Sequence, residues 1–159
     1  MKLYIKRIIF LILIIIWMGL IFSLSAQTAT DSGDLSGGII DKILNLFGKE
    51  LADFDINEID FMQFIIRKCA HMCIYVILSV LVTIELLMYS IKKQYILSCI
   101  ISVCYAISDE IHQYFVPGRS CEVRDVLIDT FGVIIGMLIV KFGRKLADKT
   151  KQITIDKNI

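Results

Sequence analysis

The chain has 159 residues, 57% of them hydrophobic, and 17 Lys and Arg against 16 Asp and Glu leave a net charge of +1. That length holds one domain and is too short for two full ones, and the near-neutral balance carries no basic footprint, which argues against nucleic acid as a partner. A mean hydropathy of +0.73 lies outside the range of ordinary soluble domains and makes the chain an all-α polytopic membrane protein, a transmembrane helical bundle.

Lys6 and Arg7 precede an apolar run from Ile8 to Phe22 that is broken only by Gly19. The first span is therefore placed at about 8–25. Ser23 and Ser25 stand at the spacing of a signal-peptide cleavage site, but the apolar core is long for a signal peptide and holds Trp17, which favours a retained helix. Residues 27–66 form the one long polar stretch, and its acids, from Asp31 to Asp60, outnumber Lys42 and Lys49. Within it Ile39, Ile40, Ile43, Phe47 and Leu51 recur at helical spacing, which predicts an amphipathic helix lying on the membrane or packed on the outer ends of the bundle.

Arg67 and Lys68 introduce a second span at about 69–89, and Lys92 and Lys93 separate it from a third at about 95–115. The apolar core of the third, Tyr95–Ile107, is too short to cross alone, so that helix must run on through Asp109 and His112. Pro117 and Gly118 then make a turn, the fourth span follows at about 125–142, and a basic tail occupies 143–159. Lys2, Lys6, Arg7, Lys92, Lys93 and the tail fall on one side of this four-span arrangement. The positive-inside rule puts both termini in the cytoplasm and the acidic loop outside.

In this topology three polar faces meet near the outer leaflet. Lys68, His71 and Tyr75 share a face of the second span; Ser102, Tyr105, Asp109, His112 and Gln113 share one on the third; Asp125 and Asp129 share one with Gly132 and Gly136 on the fourth. Glu110 and Arg119 belong to the same hairpin. Ionisable groups at membrane depth cost a few kcal/mol or more, so their convergence marks a candidate site. Taken singly, His71 reads as an interhelical hydrogen-bond donor, Asp129 as a register-fixing charge, and Gly132–Gly136 as a close-packing pair. Glu85 is read as snorkelling and Arg124 as a headgroup contact. The five cysteines make no disulfide framework, since four lie in apolar runs and Cys121 stands alone in a loop.

The stretches Trp17 with IFSLSAQ, RKCAHMCIYVIL from Arg67, SDEIHQYFVPGR from Ser108 and RDVLIDTFGVIIG from Arg124 resemble the VanZ-like family, small bacterial membrane proteins named for an accessory determinant of teicoplanin resistance. The resemblance covers most of the chain. It implies a multi-pass protein of the bacterial plasma membrane with a cell-envelope role, and motif positions at Lys68, His71, Tyr75, Asp109, Glu110, His112, Gln113, Arg119, Asp125 and Asp129. A motif at Ser23, Ser25 and Gln27 also favours a retained first helix.

Three functions compete. One is a binding module in which Arg119, Lys68 and Arg67 meet the phosphate or carboxylate of membrane lipids, a lipid-linked envelope precursor or a lipoglycopeptide. Another is an intramembrane enzyme whose catalytic candidates are His71, Asp109, His112 and Asp129, with Ser120 and Cys121 nucleophiles by position alone. The third is a structural or regulatory subunit. No cofactor is expected; a metal alternative would draw on His71, His112, Asp109 and Asp129.

Overall fold

The computed structural model of the chain describes residues 1–156, so the last three residues of the basic tail, 157–159, lie outside the described residues. It is all-helical: α1 spans Lys2–Ser25, α2 Ala29–Leu46, α3 Ile56–Met88, α4 Gln94–Gln113 and α5 Val123–Asp156, with one 3-10 turn at Leu51–Asp53. Four of these helices, all but α2, are long and apolar enough to cross a membrane.

Side-chain contacts fix the directions. Arg7 of α1 reaches the Met88 carbonyl and Trp17 donates to the Ile74 carbonyl at 2.9 Å, so α1 and α3 are antiparallel. Thr83 and Ser98 share a hydrogen bond at 2.7 Å and Tyr75 lies beside Tyr105, so α4 again runs opposite to α3. Gly132 meets Met72 and Gly136 meets Val76, so α5 runs parallel to α3. The bundle therefore alternates up and down, and the start of α1 and the end of α5 lie at one end, here the terminal end. The polar turn between α4 and α5 lies at the other, the site end.

Packing follows from where small and hydroxyl side chains fall. Ile14, Ile21, Tyr75, Leu78, Val82, Ala106 and Val133 form the buried apolar core. A Cβ on Gly132 or Gly136 would collide with the backbone carbonyls of Met72 and Val76, so these glycines let two helices touch at their backbones, as small residues do in membrane bundles. Ser79 donates to the Val133 carbonyl at 2.7 Å. The large apolar side chains Ile9, Ile12, Ile16 of α1 and Ile96, Ile100 of α4 point outward, as lipid-facing surfaces must.

Several boundaries differ from the sequence reading. The second span is the lower part of a 33-residue helix that begins at Ile56. On a 1.5 Å rise that is about 50 Å, some 20 Å more than a hydrocarbon core needs. The helix that holds the first span starts at Lys2, the one that holds the third ends at Gln113, and the one that holds the fourth continues to Asp156. The long polar stretch is mostly helical. α2 begins at a capping box in which the Asp31 N–H donates to Thr28 Oγ1 at 3.2 Å and the Thr28 N–H to Asp31 Oδ2 at 3.3 Å. Its buried face is Ser36, Ile40 and Leu44; Ile39 and Ile43 are exposed, and Phe47 and Leu51 lie beyond the helix. The shift has a local cause: Gly33 and Gly37, one turn apart, set α2 against Gln63 of α3. The contact face is chosen by small residues, which a hydrophobic count does not register.

Candidate functional site

At the site end the chain is tied together by one run of hydrogen bonds. Ser25, the last residue of α1, donates to Asp109 Oδ2 at 2.7 Å. Gln113, one turn along α4 from Asp109, donates to the same oxygen and to Ser25 Oγ, both at 3.3 Å. The Arg119 guanidinium donates to Gln113 Oε1 at 3.3 Å and to the Gln27 carbonyl at 2.8 Å. The α4–α5 loop can do this because Gly118 takes a left-handed φ of +76° and because the Ala29 N–H donates to the Pro117 carbonyl at 3.4 Å. The start of α2 is thereby pinned over the loop.

The elements enclose a polar cavity of about 270 Å³ at the bundle end. α3 contributes Phe64, Arg67, Lys68 and His71 to it; α4 and its loop contribute Glu110, Gln113 and Arg119; α5 contributes Arg124, Asp125 and Asp129. Lys68 pairs with Asp125 at 2.5 Å, and Arg124 with Glu122 at 2.7 Å. Both cations also stand over the Phe64 ring, at 5.2 and 5.1 Å from its centroid. Glu110 accepts the Glu122 backbone N–H at 2.8 Å, which holds the start of α5. Burial, with Arg67 nearby, lowers the pKa of Arg119 from its ordinary value; a guanidinium starts so high that it keeps its charge.

Thus Lys68, His71, Glu110, Gln113, Arg119, Asp125 and Asp129 are brought together around one space. Asp109 lies beneath it, engaged by Ser25 and Gln113, and Tyr75 is fully buried one turn below His71. His112 goes elsewhere: its ring stacks on Phe22 with centroids 4.1 Å apart, and it does not line the cavity. The ligand set His71, His112, Asp109 and Asp129 therefore does not converge, and among the described residues no three His, Cys, Asp or Glu side chains form a metal-holding group. Arg124, read as an outlying headgroup contact, is a wall of the cavity. Ser120 is also at its mouth, bonded to Glu122 at 3.0 Å, while Cys121 is an exposed free thiol.

A family model described as VanZ/LLP1 matches residues 10–144. The chain belongs to the VanZ/LLP1 family. The matched region runs from α1 through the transmembrane part of α5 and includes every cavity-lining residue, so the polar end of the bundle is part of the VanZ/LLP1 domain itself. No curated protein and no solved structure matches the chain. Phe64, Ser32 and Glu122 line the VanZ/LLP1 cavity without having been singled out from sequence. The signal for Phe64 was its position one turn before Arg67 and Lys68, visible only once α3 is known to begin at Ile56.

Proposed function

We propose that this VanZ/LLP1 membrane protein recognises the anionic headgroup of an envelope lipid at the outer face of the bacterial plasma membrane. The observation that carries this is the cavity of about 270 Å³ walled by Arg67, Lys68, Arg119 and Arg124. Guanidinium groups bind phosphate and carboxylate bidentately. The volume lies just below the 300–1,000 Å³ usual for drug-sized ligands, so it suits a headgroup as a unit. A lipoglycopeptide of the teicoplanin type is much larger and would engage it through one substituent only. The outward orientation is supported by Lys6, Arg7, Lys92, Lys93 and the basic stretch of α5, all at the terminal end.

The binding test is extraction of lipid from purified protein followed by mass spectrometry. The parent should carry an anionic or phosphate-bearing lipid above its membrane abundance. Arg119→Gln should lose it, and Arg119→Lys should retain about a tenth, because one ammonium cannot replace a planar fork that also holds Gln27 and Gln113. Lipid in proportion to bulk membrane in all three proteins would overturn the reading. For orientation, Cys121 should react in intact cells with a membrane-impermeant maleimide, whereas Cys introduced by Lys149→Cys should react only after permeabilisation. The reverse pattern would move the site to the cytoplasmic face.

A further inference from the structure

The cavity holds ionisable groups of both signs that are in no ion pair among the described residues, and the two kinds are at different depths. At the mouth, Lys68 and Arg124 already have carboxylate partners. Arg119 has only neutral acceptors, the Gln27 carbonyl and the Gln113 amide oxygen, and among the described residues Arg67 is in no ion pair. These two guanidiniums are the unsatisfied anion seat. On the floor, one turn down α5 from Asp125, Asp129 is 2% exposed and its Oδ1 has no hydrogen-bond partner. A buried carboxylate without a partner loses several kcal/mol of solvation and is stabilised by a cation or a donor brought to it.

Neither a simple anion nor a simple cation answers both. An anion alone would leave Asp129 unmatched and would face Glu110 as well. A cation alone would leave Arg119 and Arg67 unmatched. We propose that the ligand is a zwitterionic lipid headgroup, with a phosphate on Arg119 and Arg67 and a protonated primary amine on Asp129. This rests on the headgroup reading above and narrows it. A primary ammonium brings three N–H donors in a compact charge, whereas a quaternary ammonium brings none and is recognised by aromatic cages. Among the described lining residues Phe64 is the one Phe, Tyr or Trp, and its ring already lies beneath Lys68 and Arg124. The headgroup is therefore of the phosphoethanolamine kind rather than the phosphocholine kind.

The test measures binding of the full-length protein in nanodiscs to phosphatidylethanolamine, phosphatidylglycerol and phosphatidylcholine by native mass spectrometry. The expected result is about a tenfold preference for phosphatidylethanolamine over each of the others. In Asp129→Asn that preference should disappear while phosphatidylglycerol still binds; in Arg119→Gln both should weaken. Should Asp129→Asn fail to accumulate, Glu110→Gln, which removes a charge from the same cavity, should narrow the preference in the same direction. Phosphatidylglycerol bound as tightly as phosphatidylethanolamine by the parent, or a preference unchanged in the acid variants, overturns the zwitterion and leaves anion recognition standing. No binding of any of the three overturns both. Soluble O-phosphoethanolamine bound as tightly as the lipid would overturn the lipid as its source.

Discussion

The two ends of the bundle use the same residue types to opposite effect. At the terminal end no ion pair forms among the described residues. Arg7 caps the Met88 carbonyl and lies over the Tyr89 ring at 4.3 Å, and Lys141 lies over Tyr95 at 5.9 Å. Glu85, expected to snorkel, is 6% exposed with both carboxylate oxygens unpartnered. At the site end the charges instead face a shared space, and Ser25, Asp109, Gln113 and Arg119 are linked in series. An ionisable residue in a span is a functional candidate by its cost alone. The contrast shows that cost is not sufficient: Glu85 is as buried as many site residues, yet among the described residues neither of its carboxylate oxygens has a hydrogen-bond partner.

The largest effect that would break this comparison lies between the ends, in the helix contact that supports the cavity. Gly132→Leu and Gly136→Leu should each destabilise the protein by about 3 kcal/mol, since the new side chains meet backbone rather than flexible atoms. Gly143→Leu, where nothing lies within 4 Å, should leave the thermal midpoint in detergent unchanged. Equal midpoints for all three would mean that α3 and α5 do not meet at these glycines.

A middle-sized effect separates the two buried acids. Asp109→Ala strands Ser25 and Gln113 without their acceptor and should cost about 1–3 kcal/mol. Glu85→Gln removes an unpaired buried charge and should be neutral or stabilising by the same midpoint measurement. Were Glu85→Gln the more damaging of the two, the terminal end would hold a network of its own. The smallest effect is expected at Arg124→Gln. Its pair with Glu122 is largely exposed, so stability should change by less than about 1 kcal/mol. A larger loss would make that pair structural rather than a wall of the cavity.

Much of this was legible because membrane chemistry is strict. A long and predominantly apolar run must be a span, so Ile8–Phe22 and Cys69–Tyr89 announced themselves, and the polar faces at Lys68, Asp109 and Asp125 stood out against them. Sequence was a poor guide where water is available. Within residues 27–66 an amphipathic helix was legible but its start and contact face were not: capping at Thr28 and small-residue contact at Gly33 and Gly37 set α2, and Glu58 accepting the Asp55 N–H at 3.0 Å starts α3 twelve residues before Lys68. His112 shares the polar face by its spacing, but it lies next to Phe22 of a different helix, and helical periodicity says nothing about which neighbour a ring will stack on. Ser25 was visible as a small residue at cleavage-site spacing and as part of a family motif; its role as donor to Asp109 required the relative height of α1 and α4.

The continuity of α3 has a mechanical consequence. From Ile56 to Met88 it contains no glycine or proline, the residues at which long helices bend sharply. Its upper third carries α2, and its middle third both carries Lys68 and His71 and bears on α5 through Met72 and Val76. Such a rod behaves as a lever whose fulcrum is the glycine contact. A push on the α2–α3 end is delivered to the cavity wall without a joint to absorb it, so whatever touches that end from outside also moves the four side chains, Phe64, Arg67, Lys68 and His71, that α3 lends to the cavity.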